Sequence, residues 1–192
     1  ATGKSISLEP TFDQILGAAT LTTTGTGKLE INPDGGIAVT VDTGSDIYGV
    51  TNIDITQGLL KVTGSNALSP SAVVTTASEG TLDIEASQNI STLTNSGALN
   101  IATGVTLTQT GTAASVIGGS ITGPGIYTFN DSTSAMAVTW GSDISGFTGV
   151  VNVTDVASFT VEDPNLLTAG TFNIATGKSI SLEPTFDQIL GA

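Results

Sequence analysis

Eighteen residues of this chain occur twice: Ala1 to Ala18 reads ATGKSISLEPTFDQILGA, and Ala175 to Ala192 reads the same letters without a mismatch. Chance does not produce such identity, so the offset of 174 residues is a period. Long periods of this kind mark tandem arrays, in which each copy buries its ends against its neighbours. The expected organisation is a single segment over 1–192, with 1–174 as one unit and 175–192 as the start of the next identical one. The alternative is that one end was copied onto the other as a cap. In both cases the duplicated stretch is expected to stack on both ends of the unit.

A looser repeat runs inside the unit, an apolar residue, a polar one and an apolar one. It reads Leu29-Glu30-Ile31, Ile53-Asp54-Ile55, Leu82-Asp83-Ile84, Leu99-Asn100-Ile101, Tyr127-Thr128-Phe129, Val151-Asn152-Val153 and Phe172-Asn173-Ile174. The steps are 24, 29, 17, 28, 24 and 21 residues, and 31 more reach the first triplet of the next unit. Seven coils of about 25 residues follow from that spacing. A second line follows the first at Ile37 to Val41, Leu60 to Val62, Val105 to Leu107, Met136 to Val138, Phe159 to Val161 and Ile180 to Leu182. A weaker third line passes through Ile47, Val73, Leu93, Val116, Ile144, Leu166 and Ile189. Alternation with a period of two marks strands with one buried side. Each coil is therefore expected to carry three short strands, with a corner cut in the short interval between Leu82 and Leu99.

Suitable residues mark the corners: Asn32-Pro33-Asp34-Gly35-Gly36, Gly64-Ser65-Asn66, Asn95-Ser96-Gly97, Gly118-Gly119, Gly123-Pro124-Gly125 and Asp163-Pro164-Asn165. Gly and Asn tolerate positive φ, and Pro presets a turn. All six prolines lie outside the alternating lines, where no ladder donor is lost. The expected fold is all-β, a parallel β-solenoid (β-helix) with about three strands per coil. A β-sandwich is the alternative, since it also uses many short strands between turns. In the solenoid the triplets stack into one line, and their centres, Glu30, Asp54, Asp83, Asn100, Thr128, Asn152 and Asn173, form one outward polar row that is the place for any ligand to bind.

Thr94 to Leu107 (TNSGALNIATGVTL) and Gly170 to Ile180 (GTFNIATGKSI) resemble the passenger coils of autotransporter and filamentous-haemagglutinin-type adhesins, and of giant bacterial repeat proteins. The resemblance is one of style and covers most of the chain. It implies export to the bacterial cell surface and a role as stalk, adhesin, sheath or matrix fibre. It carries over no binding residue, because these families share no fixed ligand motif found here.

Composition removes several functions. The formal net charge is −13, with seventeen acidic residues against Lys4, Lys28, Lys61 and Lys178, and no arginine, histidine or cysteine. Nucleic acid is bound by basic groups that release counterions, so this chain would repel it. No apolar run approaches the roughly 20 residues of a membrane-spanning helix, so no membrane insertion is expected. Neither a disulfide framework nor a thiolate metal site is available without cysteine. No signal-peptide pattern opens at Ala1, which places any secretion signal outside this stretch.

Chemistry on such a scaffold would need carboxylates. A glycosidase uses two, roughly 5 to 9 Å apart, and Asp54 with Asp83 or Glu30 with Asp54 are the candidate pairs. A solvated outer row is the simpler reading of the same residues, and the chain is expected not to be an enzyme. No cofactor is expected beyond weakly bound calcium, for which Asp42, Asp46, Asp131, Glu162 and Asp163 are the candidate oxygen donors. Turn-forming Asx residues explain the same positions. Thr20 to Thr24 and Thr106, Thr108, Thr110 and Thr112 raise ice binding locally, but no threonine is expected to recur at one outward position coil after coil. Trp140 is expected to plug the core. The partner expected is the chain itself, through end-to-end stacking and lateral association of rods, outside the cell.

Overall fold

The computed structural model describes residues 4–16, 20–23, 26–43, 46–162 and 169–183. The first coil consists of β1 (Ser5–Leu8), β2 (Gln14–Leu16) and β3 (Thr20–Thr22), and the second of β4 (Lys28–Ile31), β5 (Ala38–Val41) and β6 (Asp46–Gly49). In the third and fourth, β7 (Asn52–Val62) and β8 (Val73–Ile84) each run around a corner, and β9 (Gln88–Ile90) closes the fourth. The fifth coil is β10 (Thr92–Asn95), β11 (Ala98–Ile101) and β12 (Thr106–Gln109). The sixth is β13 (Ser115–Ile117), β14 (Ser120–Gly123) and β15 (Ile126–Asn130), and the seventh β16 (Ala137–Trp140), β17 (Asp143–Phe147) and β18 (Val150–Asp155). β19 (Ser158–Val161) and β20 (Thr171–Ile174) belong to the eighth, and β21 (Ser181–Leu182) opens a ninth.

These strands lie on three sides, and every pairing between coils is parallel. Side 1 stacks Ile6, Leu29, Ile53, Val74 and Leu93 at one inward position, continuing through Ser115, Val138 and Phe159 to Ile180. Side 2 stacks Val39, Leu60, Leu82, Leu99 and Ile121. Side 3 pairs β3 with β6 in the first two coils and later stacks Gln88, Leu107, Tyr127, Val151 and Phe172. The expected parallel β-solenoid is therefore the fold. A sandwich would pair neighbouring strands antiparallel.

The count of coils differs from the expected seven. Along side 1 the steps are 23, 24, 21, 19, 22, 23, 21 and 21 residues, which together span 174 in eight coils. The triplets do not keep to one side. Leu29 and Ile53 lie on side 1, Leu82 and Leu99 on side 2, and Tyr127, Val151 and Phe172 on side 3. The step from Ile53 to Leu82 passes Val74, the true partner of Ile53, and then turns one corner more. The steps from Leu99 to Tyr127 and from Phe172 into the next unit each do the same. Three extra corners make the missing coil. Nor does the interval between Leu82 and Leu99 lose a strand: β9 and β10 are both present, separated by Ser91 alone.

The first strand of each copy of the duplicated segment lies on side 1. Ile6 and Leu8 of β1 pair with Leu29 and Ile31, and Ser181 and Leu182 of β21 pair with Thr160 and Val161. Ser7 and Ser181, the same residue of the two copies, thus occupy the same outward row eight coils apart. At about 4.8 Å per coil, one unit advances the axis by about 38 Å.

Between the sides lies a continuous core of buried apolar side chains. Leu29, Ile31, Ile53, Leu60, Leu82, Leu99, Phe129 and Trp140 are all 0 or 1% exposed. Tyr127, Phe129, Trp140, Phe159 and Phe172 form a continuous aromatic stack in the later coils, with centroids 4.5 to 6.2 Å apart along the chain of contacts. Trp140 is the core plug that was expected. Polar side chains in the core complete the backbone pairing where a side lacks a strand. Gln88 accepts the Leu68 N–H at 3.0 Å and donates to the Gly64 carbonyl at 2.6 Å, covering the gap in the third coil.

Two corners are built on glycine columns that sequence inspection did not align. Gly58 and Gly80 are register partners, and Gly97 and Gly119 continue their column between sides 1 and 2. A Cβ on Gly119 would lie 1.8 Å from the Gly97 carbonyl oxygen. Gly125 and Gly149 do likewise between sides 2 and 3, with a Cβ on Gly149 meeting the Gly125 oxygen at 1.9 Å. Backbone stacked this tightly at a bend leaves no space for a side chain.

Candidate functional site

The outward side chains of a coil sit directly over those of the coil before, so each side presents rows spaced by the strand separation, about 4.8 Å. The seven expected binding residues fall into three such rows rather than one. Glu30 and Asp54 are neighbours on side 1, Asp83 and Asn100 on side 2, and Thr128, Asn152 and Asn173 on side 3. The cause is the drift of the triplets around the corners.

Several outward polar groups bond to a neighbour in the adjoining coil, within a row or diagonally between rows. Asp54 accepts from Lys28 at 2.5 Å, and that hydrogen bond, followed by the charge of Asp54, raises the lysine pKa. Asp83 accepts from the Asn100 amide at 2.7 Å, and the Thr122 hydroxyl, the next member of that row, donates to Asn100 Oδ1 at 3.2 Å. Asn152 donates to Thr128 at 3.3 Å, and Asn173 donates to Asn152 at 3.1 Å. Lys61, directly beside Asp83 in the register, pairs with Glu85 at 2.7 Å. Amide and hydroxyl groups joined this way form ladders that hold coil to coil.

Of the two carboxylate pairs considered for glycan hydrolysis, the register joins Glu30 with Asp54. Asp54 and Asp83 are not brought together. Asp54 faces Thr75 in the next coil, whereas Asp83 lies on side 2 between Lys61 and Asn100.

The calcium candidates separate. Asp131 is 1% exposed, and its carboxylate accepts the N–H groups of Thr133, Ala135 and Met136 and the Thr133 hydroxyl, at 2.6 to 3.0 Å. These donors, the Thr133 N–H first, lower its pKa to about 2. Its oxygens are committed to shaping the turn before β16, as in an Asx turn. Asp42 follows β5 and Asp46 begins β6, while Glu162 is exposed just after β19. Asp163 lies outside the described residues, as do the third-line positions Leu166 and Ile189. Among the described residues no group of three or more carboxylates converges to hold a metal ion.

One row was missed. Thr75, Thr94, Val116, Thr139 and Thr160 occupy the same outward position of side 1 in five successive coils, so threonine does recur in register. Corners of unequal length hid the alignment. Threonine's preference for pleated, half-buried positions accounts for the row.

A second feature outside the expected rows is the seat of Lys178. Its ammonium donates to Asp155 at 2.5 Å, to the Ser134 hydroxyl at 3.0 Å and to the Val156 carbonyl at 3.3 Å. Ser134 also donates to Asp155. The lysine hydrogen bond, with that of Ser134 second, lowers the Asp155 pKa. Lys178 is the counterpart of Lys4 in the duplicated segment, so this seat joins the start of one copy to the body of the preceding unit. The signal was present in the sequence as one of only four lysines, repeated with the duplication.

Among the described residues no helix is long and apolar enough to cross a membrane. No family model, curated protein or solved structure matches this chain.

Proposed function

We propose that the chain is a structural repeat segment of a long extracellular fibre, stalk or sheath at a bacterial cell surface, in which identical units continue one solenoid. One observation carries this reading: the first strands of the two copies of the duplicated segment occupy equivalent places on side 1, separated by a whole number of coils. A second unit can then follow the first with every row and both glycine columns in register. Stability accrues through contacts between neighbouring coils, so a longer array is a stiffer and more stable rod. The acidic surface keeps rods apart in solution. The rows of sides 2 and 3 support a mechanical role because their amide and hydroxyl groups are engaged with one another. Placement outside the cell rests on the resemblance of the coils to bacterial surface proteins.

The test is a set of covalent arrays with one, two and four 174-residue units. Rod length in negative-stain images should rise by about 38 Å per unit at constant width. A beaded chain of separate particles, or a length that does not scale with unit number, would refute it. Saturable binding of the single unit on a glycan array would instead favour a recognition module built on the same rod.

A further inference from the structure

Asp34 is followed by Gly35, and no other aspartate or asparagine of the chain precedes a glycine. In such a pair the glycine nitrogen can reach the side-chain carboxyl carbon of the aspartate, because no Cβ stands in its way. We propose that Asp34 is a modification site, at which the folded chain closes a succinimide ring with Gly35 and reopens it as isoaspartate. Only this corner is involved, so the site is independent of the fibre reading.

Three observations carry it. First, the corner between β4 and β5 is open. Asp34, Gly35 and Gly36 are exposed, and a Cβ on either glycine would meet nothing within 4 Å. Among the described residues the Asp34 carboxylate accepts no hydrogen bond. Second, the corner is held at its two ends rather than at Asp34. The Asn32 N–H bonds to the Leu8 oxygen at 2.9 Å, buried Pro33 packs against Gly58, and the Ile37 oxygen accepts from the Leu59 N–H at 3.0 Å. From Asp34 to Gly36 the one backbone bond among the described residues runs from Ile37 N to Asp34 O at 3.1 Å, closing the turn within its own coil. Gly36, at φ +86°, takes the left-handed place in that turn. Third, the other aspartates are hindered or committed. Asp46, Asp54, Asp83 and Asp143 precede isoleucine, Asp42 precedes threonine and Asp155 valine, whose branched Cβ crowds the attacking nitrogen. Asp131 precedes serine, but its carboxylate is held by the N–H groups of Thr133, Ala135 and Met136.

The ring closes when the Gly35 nitrogen bonds to Asp34 Cγ and the carboxyl C–OH bond breaks. The hydroxyl leaves with the amide proton as one water. Water then adds back at either imide carbonyl. Cleavage at Cγ restores aspartate, whereas cleavage at the main-chain carbonyl carbon leaves the backbone running through Cβ and Cγ. Nothing is oxidised or reduced, and the charge ends unchanged. The corner is then one carbon longer, and the oxygen that accepted the Ile37 N–H belongs to a free carboxylate. Because residues 34–36 make no backbone bond to another coil among the described residues, the lengthened corner leaves the ladders of sides 1 and 2 in place.

The test is to age the full folded chain for weeks at neutral pH and to read isoaspartate at each position by peptide mapping. It should accumulate at Asp34 several-fold faster than at any other described aspartate, through a transient species lighter by one water. Gly35→Ala, for which the corner has space and a φ that alanine adopts, should slow the reaction several-fold and leave the thermal midpoint unchanged. Asp34→Asn should reach the same isoaspartate faster, at a rate that rises with pH. The rate of the unaltered chain should instead fall as pH rises, because only the protonated carboxyl loses its hydroxyl as water. The urea-unfolded chain is the reference. No isoaspartate at Asp34 of the folded chain, over an interval in which the unfolded chain forms it, would show the corner closed and the proposal wrong. None in either chain would refute the chemistry as well. Equal accumulation at Asp34 and Asp131 in the folded chain, or a Gly35→Ala rate equal to that of the unaltered chain, would also overturn it. None of these outcomes bears on rod length, so the fibre reading stands or falls separately.

Discussion

Adding one methyl group at Gly119 tests the stacking of the coils at its tightest point. In Gly119→Ala the new Cβ lies 1.8 Å from the Gly97 carbonyl oxygen and 2.8 Å from the Gly97 carbonyl carbon and nitrogen. Carbon and carbonyl oxygen approach no closer than about 3.3 Å even in favourable C–H···O contacts. The two coils must therefore part locally by about 1.5 Å, and because every atom met is backbone, no side-chain rotation relieves the clash. Parting stretches the bonds from Ser120 N to Gly97 O at 2.9 Å and from Gly119 N to Asn95 O at 3.0 Å. Each is worth about 1 kcal/mol net, and overpacking adds about 1 to 3 kcal/mol, which gives a loss of about 3 to 5 kcal/mol. Gly35→Ala is the matched control, since a Cβ there meets nothing within 4 Å and should change stability by less than about 0.5 kcal/mol. Urea unfolding followed by the fluorescence of Trp140, buried in the next coil, measures both. Two variants within about 1 kcal/mol of each other would show that Gly119 does not sit on Gly97, and the register of sides 1 and 2 would be wrong.

Other consequences are as direct. Asp131 has a folded pKa of about 2 against an ordinary 3.8, so its contribution is full above about pH 4 and is lost as pH falls through 2. Asp131→Asn should flatten the fall in thermal midpoint between pH 4 and pH 2, and an unchanged acid profile would count against the turn role; Asp143 and Asp155, also lowered, retain part of the slope. Trp140→Ala removes the centre of the aromatic stack and should cost about 3 to 5 kcal/mol in chemical denaturation, with Trp140→Phe markedly milder. Lys61→Ala breaks a half-exposed pair with Glu85 and should cost less than about 1 kcal/mol, a loss that shrinks in high salt.

Much of the fold was legible because solenoid physics is local. Alternation at Leu29 to Ile31 or Val151 to Val153 requires one inward and one outward side whatever the chain does next. Pro33 and Pro124 beside glycines mark places where a ladder cannot continue. The junction was legible in part: the duplication identified the segments, but that Lys178 reaches Asp155 and Ser134 follows from the position of the turn after Asp131, which no local pattern specifies.

Sequence alone determined the strand composition, the inward and outward alternation of the triplets, and the 174-residue period, whereas Val73 and Val116, read in the third apolar line, face outward at 39% and 47% exposure. Tertiary structure decided which side each strand occupies, and with it the eight coils, the three separate polar rows, the threonine row and the glycine columns. The reason is that alternation reads the same on all three sides, so it carries no information about how far the chain has turned. Corner length would supply it, but the links vary from the single Ser91 between β9 and β10 to the ten residues between β7 and β8. Only hydrogen bonding from coil to coil, which sets Ile53 beside Val74 rather than Leu82, resolves the winding.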